Sequence, residues 1–115
     1  MLVIKVWCLP AGQTEESLQK LHQSIVAGVA SIPELGLKGQ QDMTCLFPAD
    51  LMTYCLGEEI IVEISGLYNP ERKVPVRFRL AECIGKRVKA LYPKARVEVT
   101  ILTPVNPDMC GWRTD

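Results

Sequence analysis

Few residues in this chain are of a type that could do chemistry, and they are scattered. Its one histidine, His22, sits between Leu21 and Gln23. A catalytic imidazole needs a nucleophile placed with it, and neither Ser24 nor Cys83 stands in a Gly-x-Ser-x-Gly-like elbow. His22 therefore reads as a structural residue. Five cysteines, Cys8, Cys45, Cys55, Cys83 and Cys110, occur singly at irregular spacing. An odd number without a Cys-x-x-Cys pair speaks against a disulfide framework and against zinc. Free thiols in a reducing cytoplasm, with no metal and no cofactor, are the expectation. The stretch "GLKGQ" (36–40) lacks the spacing that cradles phosphates. Arg77, Lys86, Arg87 and Lys89 form a basic set, but Glu82 interrupts it, no aromatic residues interleave, and 13 cations balance 13 anions. That set reads as a solvated face, so nucleic acid is not an expected partner.

At 115 residues the chain is one domain, 1–115, with a modest core. Oligomerisation is a natural way for such a chain to bury more apolar surface. No apolar run approaches the ~20 residues of a membrane span. The opening "MLVIKVWCLP" is too short and too alternating for a signal peptide and has no basic region before it. A cytoplasmic protein that does not engage membranes is expected.

The elements that must position any site follow from periodicity. In the first strand Leu2, Ile4, Val6 and Cys8 alternate with Val3, Lys5 and Trp7, until Pro10 and Gly12. "QTEESLQKLHQSIVAGVASIPEL" reads as a helix capped by Thr14, with Leu18, Leu21, Ile25, Val29 and Ile32 on one face and Pro33 at its end. A short strand is expected over 43–48, and a longer one over 59–68 with Ile60, Val62 and Ile64 on one side. A second helix begins near Pro75, with Phe78, Ala81, Ile84, Val88 and Leu91 as its apolar face. A last strand, 95–105, alternates Val97, Val99 and Ile101 with Glu98 and Thr100. The order is β-α-β twice, in halves of about 1–50 and 57–105. The expected fold is α/β, with a four-stranded mainly parallel or mixed sheet and two helices on one face. The other face needs a cover, and a second copy of the chain is the natural one.

Several strings resemble the tautomerase superfamily, in its macrophage migration inhibitory factor and 4-oxalocrotonate tautomerase-like branches. They are "FPADLMTY" (47–54), "EISGLY" (63–68), "ARVEVTIL" (95–102) and "MCGW" (109–112). The resemblance implies two β-α-β units per chain, a homotrimer, and keto–enol chemistry on a small carbonyl or enol acid. It also implies a catalytic proline at the mature amino terminus, and here the sequence departs from the pattern, because Met1 is followed by Leu2.

The α-amine of Met1 is then the candidate base. Its reference pKa of ~7.7–8.0 leaves part of it neutral near pH 7.5, and a primary amine can also form a Schiff base. Carried over from the family, substrate contacts would come from Leu2 beside the amine, Lys38, Ser65, Gly66, Glu98, Thr100 and Trp112. Lys38 stands nearly where the family has a substrate-contacting lysine. Glu98 and Thr100 replace a tyrosine and an asparagine that a neighbouring subunit supplies in relatives. An acidic Glu98 opposes an anionic substrate. The functional expectation is a divergent tautomerase-like isomerase with weak or absent activity. A trimer keeping the fold only for binding or assembly is the alternative, and an unrelated ferredoxin-like module is a third reading that oligomeric mass would separate.

Overall fold

The computed structural model describes residues 2–37, 39–49, 57–66 and 74–102. Strand β1 (Leu2–Trp7) leads to helix α1 (Glu15–Ala30) and two short 3-10 turns, Pro33–Leu35 and Gln40–Asp42. Strands β2 (Met43–Leu46) and β3 (Glu59–Ser65), helix α2 (Val74–Leu91) and strand β4 (Arg96–Ile101) complete it. The sheet order is β2-β1-β3-β4. β1 pairs parallel with β2 and β3 parallel with β4, while the central pair, β1 with β3, is antiparallel. Two β-α-β units thus share one mixed sheet, as the sequence predicts.

Alternation decides which side of the sheet is dry. Leu2, Ile4 and Val6 of β1, with Ile60, Val62 and Ile64 of β3, are buried, and the strand residues that alternate with them are half-buried. They form one cluster with Leu21, Ile25 and Val29 of α1 and with Leu80, Ile84 and Val88 of α2. Both helices therefore cover the same face. Burying a side chain of this kind stabilises by about 1.5–3 kcal/mol relative to exposure. This cluster is the dominant favourable term.

Local chemistry sets the ends of α1. The Thr14 hydroxyl accepts from the Ser17 N–H at 3.1 Å, and the Ser17 hydroxyl accepts from the Thr14 N–H at 3.0 Å, a reciprocal cap. Glu15 and Glu16 place negative charge at the positive end of the helix dipole. The helix stops at Ala30, before the predicted limit. Pro33 instead opens a 3-10 turn, yet Ile32 still reaches the core.

Two expectations need correction. The strands are shorter than the apolar runs suggest: Met43–Leu46 rather than 43–48, Glu59–Ser65 rather than 59–68, and Arg96–Ile101 rather than 95–105. Residues 67–68 and 103–105 lie outside the described residues. The ladder ends where its partners end, and composition does not register that. The buried stripe of α2 is Val76, Leu80, Ile84 and Val88, not Phe78, Ala81, Ile84, Val88 and Leu91. Phe78 is 67% exposed and Leu91 40%. The two stripes share Ile84 and Val88 and differ only in stepping back by four residues or by three. Helical periodicity allows either, and the sheet beneath selects one.

Candidate active site

The start of β1 meets three other elements at one end of the sheet. Leu2 pairs with Met43 in the parallel ladder, so the turn Gln40–Asp42 arrives beside the beginning of β1. Val3 pairs with Ser65, so the exit of β3 through Ser65 and Gly66 lies on the other side. Gly66 has φ +96°, a left-handed conformation that favours glycine, and the strand leaves the sheet there. Leu102 at the end of β4 donates its N–H to the Ile64 carbonyl at 2.7 Å, which brings the last strand to the same end.

The sequence-derived site residues distribute as follows. Ser65 and Gly66 stand beside the chain start and are half-buried. Leu2 stands there too, but its side chain is 1% exposed and belongs to the core. Met1, Lys38 and Trp112 lie outside the described residues. Glu98 and Thr100 are exposed on edge strand β4, opposite Ile61 and Glu63. Within one chain Glu98 is therefore not brought to the chain start. One residue here carries no sequence signal: Asp42 closes the turn just before Met43, its N–H bonded to the Gly39 carbonyl at 3.0 Å.

The sheet face away from the helices presents Val3, Lys5 and Trp7 from β1, Thr44 and Leu46 from β2, Ile61, Glu63 and Ser65 from β3, and Glu98 and Thr100 from β4. Leu46 is 44% exposed. Trp7 Nε1 is buried without a hydrogen-bond partner among the described residues. Lys5 and Glu63 stand directly opposite each other, a cross-strand pair of opposite charge. The face is thus a mixed apolar and charged surface with no helix of the described residues over it.

Two surface hollows open at the opposite end of the sheet. One, of about 240 Å³, is lined by residues including Leu9, Pro10, Gln13, Leu18 and Phe47. The other, of about 490 Å³, is lined by Glu15, Leu18, Gln19, His22, Cys45 and Phe47. His22 and Cys45 share that second hollow, but burial pushes the Cys45 thiol up to about 11, so the reactive thiolate is disfavoured at neutral pH. Among the described residues Cys8, Cys45 and Cys83 are in no disulfide, and no group of three or more His, Cys, Asp and Glu side chains is placed to hold a metal ion. No helix among them is long and apolar enough to cross a membrane.

No family model matches the sequence, and no curated protein matches it. Solved structures do resemble it. A fused 4-OT described as a wild-type asymmetric trimer matches with a TM-score of 0.63 at 13% identity, over 87% of this chain and 85% of that one. A protein inactivated by 2-oxo-3-pentynoate matches at 0.63 with 12% identity, over 95% of this chain and 92% of that one. A malonate semialdehyde decarboxylase matches at 0.59 with 11% identity, over 98% and 92%. Such identities carry the architecture and not the chemistry. On architecture they agree: this chain has the tautomerase-superfamily fold.

Proposed function

We propose that this chain is a divergent tautomerase-superfamily protein, assembled as a homotrimer, that receives a small carbonyl or enol acid at its chain start and has weak or no keto–enol isomerase activity. The observation that carries this reading is the convergence of Leu2, Ser65–Gly66 and the turn before Met43 at one end of the sheet. In this reading the α-amine of Met1 takes a proton from the carbon beside the carbonyl and returns it to the other end of the keto–enol system. Backbone N–H groups at Ser65 and Gly66 would hold the acid, and Lys38 would face the oxygen on which charge develops. Glu98 and Thr100 would come from a neighbouring copy, with Trp112 as a wall.

The uncovered sheet face supports the trimer. Val3, Trp7, Leu46 and Ile61 need a cover that two helices on the far side do not give, and the fused 4-OT neighbours are described as trimers. Cys8, Cys45 and Cys83, in no disulfide, fit a cytoplasmic setting. A second reading, an oligomer that keeps the fold for binding alone, is favoured by Met1 in place of a proline and by the acidic Glu98.

Ketonisation of phenylenolpyruvate tests the proposal, measured on the native protein, on protein with its α-amine blocked, and on a Met1→Pro variant. Proline belongs at position 1 because Leu2 is committed to the core. Turnover lost on blocking supports the amine as base. Activity in the proline variant alone supports the pocket and makes the native protein non-catalytic. Silence from both removes the isomerase, and a monomeric mass in solution removes the trimer.

A further inference from the structure

The two hollows at the carboxyl ends of β1 and β2 adjoin, because Leu18 and Phe47 line both. Their origin is simple. Glu15, Leu18, Gln19 and His22 recur at steps of three or four and so form one stripe along the flank of α1. Cys45 of β2 and Phe47 just past its end alternate with Leu46, and both pack against the core on the helix side of the sheet. β2 is an edge strand whose one partner among the described residues is β1. The flank of α1 and this edge leave a trough between them. Its larger part, about 490 Å³, has the size of a small-molecule site, ~300–1,000 Å³. The crevice outside the carboxyl ends of parallel strands is also where ligands of open α/β sheets bind.

The lining decides the kind of ligand. Leu9, Pro10, Leu18 and Phe47 give an apolar floor. Glu15 supplies a carboxylate that is in no ion pair among the described residues, and no lysine or arginine lines either hollow. The start of α1 does not reverse that sign. The Ser17 N–H is taken by the Thr14 hydroxyl, the Leu18 N–H by the Thr14 carbonyl, and Glu15 and Glu16 add negative charge. An anion would meet a carboxylate there, and a cation gains one.

We propose that the joined hollows are a second binding site, for a small amine with an aromatic or branched apolar body. The ammonium sits on the Glu15 carboxylate, where the Gln19 amide oxygen can accept a second of its protons, and the body lies over Leu18 and Phe47 toward Leu9 and Pro10. This site is separate from the one proposed at the chain start. It stands at the other end of the sheet, on the helix side, and it selects a ligand of the opposite charge. Neither site depends on the other.

The test is an NMR titration of the full chain, labelled with 15N, against 2-phenylethylamine and against 3-phenylpropionate, its acidic counterpart. The amine is expected to move the amides of Leu18, His22, Cys45 and Phe47 saturably, and the acid to leave them in place. Glu15→Gln, an exposed change that keeps the shape of the side chain, is expected to weaken the amine by roughly two- to fivefold. Gln19→Lys, also at an exposed position, puts a cation into the hollow and is expected to abolish saturation. Glu16→Gln, which lines neither hollow, is expected to weaken it less than Glu15→Gln does. The proposal is overturned by an amine that shifts nothing saturably, by shifts confined to another part of the chain, or by an acid that moves the same amides equally. It is also overturned if Glu15→Gln and Gln19→Lys bind the amine as native protein does.

Discussion

Gly28 of α1 lies so close to Arg87 of α2 that a Cβ at position 28 would stand 2.8 Å from Arg87 Cδ and 3.1 Å from Ile84 Cδ1. The absent side chain is what lets the helices cross there while both keep their apolar faces on one sheet. Gly28→Leu is expected to destabilise by ~1–3 kcal/mol, as overpacking does. Gly28→Ala is expected to stay within ~1 kcal/mol of native, because better helix propensity offsets a contact that the flexible Arg87 can relieve. Urea unfolding of the two variants checks both values, and equal costs would contradict the close approach.

The orientation of α2 can be read by mutation. Leu80→Ala, at a fully buried position, is expected to cost ~2–5 kcal/mol. Phe78→Ala removes a larger side chain that is 67% exposed. It is expected to cost well under ~1 kcal/mol, like other surface changes. Thermal unfolding of both variants decides, and the opposite ranking would restore the stripe through Phe78.

The cap of α1 makes a smaller, local prediction. Thr14→Ala removes the acceptor of the Ser17 N–H and is expected to cost about 1 kcal/mol. Thr14→Asp, which keeps an acceptor and adds charge at the positive end of the helix, is expected to restore most of it. Hydrogen exchange at the amides of residues 15–18 would show whether the loss is confined to the first turn.

Cys45 gives the protein an alkaline limit. Burial raises its thiol from 9.0 to about 11 in the folded chain, so the folded state holds a proton that the unfolded state releases. The associated stability is fully present below pH 9.0 and is lost as pH rises toward about 11. Tyr92, also raised by burial, adds a loss in the same direction. Cys45→Ala is therefore expected to flatten, not abolish, the fall in denaturation midpoint over that interval. An unchanged slope would mean that the thiol is as solvated in the folded chain as in the unfolded one.

The sequence by itself determined the order of elements, the dry faces of β1 and β3 and the cap of α1. Each of these depends on neighbours a few residues apart: Leu2, Ile4 and Val6 alternate whatever lies across from them, and Thr14 finds Ser17 locally. The family resemblance likewise rested on short strings, and the fold agrees with it. Tertiary structure alone decided where the strands stop, because a ladder ends with its partner, and which stripe of α2 is buried, because Phe78 and Leu80 satisfy helical periodicity almost equally well. It also decided what stands at the start of β1. Asp42 and Leu2 are 40 residues apart in sequence, and only the parallel register, which local residue types do not encode, brings the carboxylate's segment to the beginning of β1.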